Sequence, residues 1–374
     1  MPTLQITSRW IASLQYDVGQ FMANLQVPGQ SGHFLPCLNG ANLVGQKAAL
    51  GFSCFALKIY YTLGLWEQIP ETQQKEWLEF ICSYQVLDPE NNNYSSFIDP
   101  HLLAGIAPYQ AESIKTKLRR WLRGEARRNM VEDAIKAETK QAIATLAQVG
   151  AAPNLTFSQF PHNQAELLQR LNQLPWNLPW VAGGQSAAIA VFVTSQAHLI
   201  DSLDSRMLIE TTSQFFTKLA DPATGGYFRG ETPARGQLIN GAMKVLNSLD
   251  WLKSPIHYPE KLIDTCLEQG PPPAGCHVVD WVYVVHRCLL QTQHRKKEIQ
   301  QRCLEIAQMI KTHQNSDKGL SYKPGKAQSN YYGATISAGL DEGDIHGTCL
   351  LTWAIAMIVE ILEMDMPGWK VIRP

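Results

Sequence analysis

The sequence predicts an all-α fold, an α/α toroid of six helical hairpins with inner and outer rings of six helices each. Three observations predict it. Apolar residues recur with helical period over twelve segments. The connections alternate, every second one being long and rich in Gly, Pro and aromatic residues. The helices that follow the long links are apolar on nearly every face, whereas those that precede them keep a polar face, so the first kind belongs inside and the second outside.

The first hairpin pairs 4–24 with 42–64 across QVPGQSGHFLPCLNG. The second joins 71–84 to 126–149 through a link that includes VLDPENNNYSSFIDPHLLAG. The third pairs 162–174 with 184–200 across LPWNLPWVAGG, and the fourth pairs 204–219 with 236–252 across DPATGGYFRGETPARGQ. The fifth sets 258–268 before 277–292 with QGPPPAGCH between them. The sixth joins 296–313 to 345–364 through NSDKGLSYKPGKAQSNYYGATISAGLDEGD. GQSAAIAVFVTSQAHLI and DIHGTCLLTWAIAMIVEIL show the all-round apolar character of inner helices, and KKEIQQRCLEIAQMIKTHQ shows the one-sided character of outer ones. Repetition of one hairpin makes residues 1–374 a single toroid domain, with every long link at the end where the inner helices begin.

Composition narrows the function. With 45% apolar residues in 374, the chain can fill a sizeable core. Its 32 basic and 33 acidic residues leave no global field to draw it to nucleic acid. Eight cysteines lie scattered in apolar stretches without a CxxC pair, as reduced core residues do. MPTLQITSRWIASLQ lacks the basic head and apolar stretch of a secretory signal, and no uninterrupted apolar run reaches the roughly 18 residues of a membrane span, so a cytoplasmic protein is expected. KTKLRRWLRGEARR, which includes Arg127 and Arg128, reads as a solvated helix or as a contact for an anionic membrane surface. Walker, GxGxxG, HExxH, GxSxG and DDxxD motifs are all missing, so no cofactor and no metal is expected.

Polar groups at the starts of inner helices are the candidates for chemistry. DEGDIHG places Asp344 and His346 where the last inner helix begins, and capping is the alternative role for Asp344. In CHVVDWVYVVHRCLL, His277, Asp280 and Arg287 share a helical stripe. A carboxylate inside VVDWVYVV is paired, protonated or faces a cavity, and Arg287 or His286 would be the buried partner. Asp99 in SSFIDPHL is a further acid, or sets the turn before Pro100. Arg235, Asn240 and Lys244 interrupt an apolar helix, while Gly183 and Gly184 read as a tight turn or as a weak anion site. Aromatics crowd the links and adjacent helices, among them Trp180, Tyr227, Phe228, Trp281 and Trp353, and suggest a cavity lined by ring faces.

The toroid, the Gly-aromatic links and DIHGTCLLTWAIAMI together resemble the terpenoid cyclase and protein prenyltransferase superfamily, and the length is similar to its monodomain class II terpene cyclases. The resemblance covers the whole chain as a helical pattern and rests on no short motif. It implies a proton-initiated ring closure on a polyprenyl or prenylated aromatic substrate of the kind found in meroterpenoid biosynthesis. Asp344 would give the proton with His346 orienting it, and Asp280 and then Asp99 are the other donors; the DxDD motif of two-domain members is missing. Trp180, Trp281, Trp353, Tyr227 and Phe228 would shape the cavity. Arg235, Arg127 and Arg128 would hold a polar head, and Asn240 would also contact the substrate.

Three other functions share this pattern. A zinc-dependent prenyltransferase would use Asp280 and His346, but Val282 stands where its cysteine is expected. A toroid glycosidase or polysaccharide lyase would pair Asp280 with Asp344 or Glu231. A non-catalytic isoprenoid-binding protein would have the cavity without a productive acid.

Overall fold

The computed structural model describes residues 2–87, 95–106, 130–155, 157, 159–197 and 202–374. Fourteen α-helices lie among them. They are α1 (Pro2–Leu25), α2 (Leu43–Lys47), α3 (Leu50–Thr62), α4 (Glu71–Cys82), α5 (Pro100–Gly105), α6 (Met130–Gln148) and α7 (Gln164–Gln173). Then come α8 (Pro179–Ser195), α9 (Ser202–Leu219), α10 (Arg235–Trp251), α11 (Pro259–Leu267), α12 (Gly275–Leu289), α13 (Lys296–Lys311) and α14 (Ile345–Ile361).

The neighbour relations close a ring. Helix α3 packs on α6, α6 on α8, α8 on α10, α10 on α12, α12 on α14, and α14 returns to α3. Around this ring α4 packs on α3, α9 on α8, α11 on α12, α13 on α14, α7 on α9 and α1 on α13. The fold is therefore an α/α toroid in which inner and outer helices alternate along the chain. The chemistry of the helices explains the sorting: α14 buries nearly every residue from Ile345 to Ile361, whereas α13 buries only Ile299, Cys303, Ile306, Ala307 and Ile310.

Three boundaries differ from expectation for local reasons. The segment expected as one helix over 42–64 breaks at Ala48, because Asp99 Oδ2 accepts from Ala49 N and Leu50 N at 2.7 and 3.1 Å and starts a new helix there. Helix α8 begins at Pro179, five residues before the expected start at 184, since proline has no N–H to lose in a first turn. Gly183 and Gly184 thus lie inside a helix and form no turn. A Cβ on Gly183 would come within 2.8 Å of the Lys244 side chain, and one on Gly241 within 2.6 Å of Pro179, so these glycines let α8 and α10 approach closely. Two short hairpins add strand to the links: β1 (Gln85–Leu87) with β2 (Ser95–Phe97), and β3 (Asn330–Tyr331) with β4 (Ala334–Thr335).

The two ends of the ring are built differently. At the end where inner helices finish, the chain beyond α14 lies across them. Lys370 N donates to Thr62 O, Arg373 N donates to Gln148 Oε1, and Asn247 and Trp251 both donate to the Pro374 carbonyl oxygen at 2.8 Å. The Arg373 guanidinium covers the Trp251 ring at 3.8 Å. At the end where inner helices begin, the 312–344 link folds over the helix starts: Asn42 N donates to Ile336 O, Gly275 N to Tyr322 O and Asp344 N to Leu320 O.

Among the described residues no helix is long and apolar enough to cross a membrane.

Candidate functional site

The site lies inside the ring toward the end where the inner helices begin, and α3, α6, α10, α12, α14 and the 312–344 link supply its side chains. Tyr332 of that link keeps 40% of its surface open, and burial by the surrounding protein pushes its phenol well above the usual range.

Asp280 stands on α12, 2% exposed, and its Oδ2 has no hydrogen-bond partner among the described residues. The buried partners expected for it are engaged elsewhere: Arg287 bonds Asp250 at 2.6 Å and His286 bonds Glu360 at 2.6 Å. Burial pushes the Asp280 carboxyl up to about 6, against the pull of the Lys244 charge.

His346, in the first turn of α14, stacks on Phe55 at 4.5 Å and on Tyr322 at 5.6 Å. Its Nδ1 donates to Gln328 Oε1 at 2.5 Å, which leaves Nε2 as a lone pair without a partner among the described residues. Burial, then Lys244 and Lys58, hold it down to about 3, so the ring is a neutral base throughout the ordinary pH range.

Asp344 is placed otherwise. It caps α14: Oδ1 accepts from Gly347 N at 2.6 Å, while Oδ2 accepts from Tyr322 N at 2.6 Å and Gln328 N at 3.0 Å. Burial pushes its carboxyl up to about 6 against those bonds. Both oxygens are occupied in fastening the 322–328 link to the helix start. Asp99 is similarly consumed, accepting from Ala49, Leu50, His101 and Leu102 and so capping α3 and α5 together. Glu231 is exposed.

The other expected ligand-contact residues divide. Trp180 is 41% exposed in the first turn of α8, and Asn240 donates to His277 Nδ1 at 3.0 Å, with Lys244 one helical turn further along α10. Trp281 instead points outward, donating to Cys266 O of α11, and Tyr227 bonds His257 and meets Phe216 edge-on, so both fill the layer between the rings. Trp353 is buried against Tyr283, Phe228 is half-buried beyond α9, and Arg235 pairs with Glu268 near the surface. Arg127 and Arg128, with the rest of their basic stretch, lie outside the described residues.

Sequence reasoning singled out Lys244 but passed over the two lysines that meet it in the interior. Lys58 of α3, Lys140 of α6 and Lys244 of α10 converge there, near enough for Lys58 and Lys244 to depress Lys140 and for Lys244 to depress Lys58. Burial is the main cause of both shifts. It also passed over Glu138 of α6, pushed up to about 8 by burial, which accepts from Tyr331 at 2.7 Å. Lys58 was findable, since a cation inside LGFSCFALKIYYT raises the same question as the carboxylate inside VVDWVYVV. Lys140 was not, because MVEDAIKAETKQAIATLAQ has polar residues on several sides.

This interior corrects the expectation of a greasy chamber for carbocations. In a medium of effective dielectric about 20, two like unit charges about 7 Å apart repel by roughly 2 kcal/mol. Ammonium groups would therefore oppose a travelling cation, and a lysine that gave up its proton would trap it as a nucleophile. Nor do three His, Cys, Asp or Glu side chains gather as a metal-ligand set among the described residues.

No protein-family model and no curated protein matches the chain. Among solved structures it is similar to a selenomethionine derivative of the GH76 α-mannanase of Bacteroides thetaiotaomicron, with 10% identity, a TM-score of 0.44, and 93% of this chain and 94% of that one covered. At that level the likeness carries no argument about activity. The terpenoid cyclase resemblance is corrected here together with the isoprenoid substrate it implied: the solved structure reported above is a glycosidase's, and the lysine-lined interior opposes a travelling cation.

Proposed function

We propose that the chain is an enzyme acting on carbohydrate, cleaving a glycosidic bond by acid–base catalysis inside the mouth of the ring. The observation that carries this reading is Asp280, a buried carboxyl with an oxygen unpartnered among the described residues and pushed up to about 6, with Lys244, Cys276 and Tyr322 near it. Glycosidic cleavage needs one group to carry a proton to the leaving oxygen and another to act as a base. Asp280 and His346 meet that need with separated proton affinities, about 6 and about 3, and His346 offers a free Nε2. The hydroxyls of a sugar find partners in Asn240, His277, Gln328 and the tyrosines of the 312–344 link. Exposed Trp180 supplies a flat face at the rim on which a sugar ring can stack.

The test is a panel of neutral and acidic oligosaccharides incubated with the protein, with products followed by mass spectrometry. Asp280→Asn is expected to lower turnover at least 100-fold while circular dichroism stays unchanged. Full turnover in Asp280→Asn removes the carboxyl from the mechanism, and an uncleaved panel removes the reading.

A further inference from the structure

Lys58, Lys140 and Lys244 stand eight, ten and nine residues beyond Leu50, Met130 and Arg235, the first residues of three inner helices. At 1.5 Å per residue that is roughly 12–15 Å along each helix. Side chains on a helix lean toward its start, so the three ammonium groups reach from that depth back toward the mouth. None of them has an ion pair or a hydrogen bond among the described residues, although Lys58 is only 9% exposed. Unpaired lysines at such depth are costly and are rarely kept without a use.

The carboxylates nearby do not balance them. Glu138 is held protonated at neutral pH and bonded to Tyr331, and Asp344 is surrounded by backbone N–H groups. Among the described residues Asp280 is the carboxyl that stands within reach of the Lys244 charge. Three lysines facing one carboxyl leave the floor of the cavity short of negative charge, and an arriving anion would favour the charged forms that burial and mutual repulsion disfavour in Lys58 and Lys140.

We propose that Lys58, Lys140 and Lys244 form an anion subsite at the floor of the cavity, which holds a carboxylate or phosphate group carried by the ligand. This deepens the glycosidic reading, and rests on it only in taking the carrier to be a sugar: the substrate would be acidic, a uronic acid or a sugar phosphate. Lysine suits such a task as a compact point charge on a flexible stem. Three of them from three helices would draw in a negatively charged ligand and orient it, with its anionic end down and its scissile bond level with Asp280 and His346 nearer the mouth.

The test measures binding by calorimetry and thermal melting, with digalacturonate, glucose 6-phosphate, inorganic phosphate and neutral mannobiose as probes. Each is tried on wild type and on Lys58→Met, Lys140→Met and Lys244→Met, which keep the apolar stem and lose the charge. At least one of the anionic probes is expected to bind wild type tenfold or more tightly than mannobiose and to raise its melting temperature. Each substitution is expected to weaken that anion tenfold or more, leave mannobiose unchanged, and raise the melting temperature of the free protein. Preference among the three anions then tells uronate from sugar phosphate from free phosphate. Anion binding no tighter than mannobiose, or equal in wild type and all three variants, overturns the subsite. If a variant fails to fold, Lys140→Arg, which keeps the charge, still decides: it must fold and retain anion binding. An anion that binds through the lysines and is never cleaved keeps the subsite and removes the glycosidic reading. Cleavage of neutral sugars with lysine-independent binding does the reverse.

Discussion

Asp344 and Asp280 are both 2% exposed, and burial pushes both carboxyls up to about 6, yet one is ringed by donors and the other has almost none. Asp344 receives three backbone N–H groups, one from its own helix at Gly347 and two from Tyr322 and Gln328, 22 and 16 residues earlier in the chain. Among the described residues Asp280 leaves Oδ2 unpartnered, and the charge of Lys244 acts on it. Proton affinity therefore does not separate a carboxylate that holds the fold from one free to react; the number of donors already spent on it does. The same substitution should act on the two in opposite directions.

Asp344→Asn carries the largest expected effect. An amide presents one oxygen and one NH2 where two acceptors are required, so at least one buried backbone N–H faces another donor. Loss of a charge-assisted cap, with an orphaned donor added, costs roughly 3–4 kcal/mol. Urea unfolding at neutral pH measures this, and a loss under about 1 kcal/mol would mean that the link is held by something else.

Asp280→Asn comes second and should stabilise the protein at neutral pH. The folded pKa lies above the ordinary 3.8, so the fold prefers the protonated form, and this contribution to stability is lost as pH rises through 6. The penalty on the charged form reaches roughly 3 kcal/mol at most. Asparagine escapes it. The variant should exceed wild type by up to about that amount above pH 7, with the advantage fading as pH falls from 6 toward 4. His346 acts in the other sense, because its depressed pKa removes stability as pH falls through and below 6.5. It contributes equally to both proteins, so the difference between their unfolding curves isolates Asp280. An advantage that is the same at pH 4.5 and pH 7.5 would refute the assignment.

Gly347→Ala ranks third and attacks the Asp344 region from the backbone. Its new Cβ would lie 2.4 Å from Tyr322 N, an atom fixed by the same carboxylate, so the link must retreat and lengthen that bond. Overpacking of this kind costs roughly 2 kcal/mol. A thermal melt reads it, and combination with Asp344→Asn should fall well short of additive, because both changes break one fastening.

The contrast also explains what could be read from the sequence. The ring was legible because hairpin alternation is a pattern of whole helices: DIHGTCLLTWAIAMIVEIL is apolar all round, and KKEIQQRCLEIAQMIKTHQ is not. That Asp280 is unusual was legible too, since a charge in VVDWVYVV always demands an account. Which way neighbouring residues face was not: Trp281 follows Asp280 by one residue, about 100° around the helix, and so points into the layer between the rings. The partners of Asp344 come from residues 322 and 328, and the companions of Lys58 from α6 and α10, so no local stretch announces either group. A concentration of aromatics in the links reads as an apolar chamber because sequence shows which rings are near and not which lysines lie beneath them.

Arg235 gives the smallest expected effect and marks the outer limit of the comparison. It begins α10 and was expected to hold a polar head group, but its side chain and that of its partner Glu268 are 37% and 57% exposed. An ion pair this open to water is screened, and it must order two long side chains in order to form. Arg235→Ala should therefore change stability by less than about 0.5 kcal/mol. It should also leave anion affinity within twofold, since the charge lies at the surface and not among the three lysines. A tenfold loss of anion binding in Arg235→Ala would move the recognition of charge from the floor of the cavity to its rim, and with it the orientation in which a ligand meets Asp280.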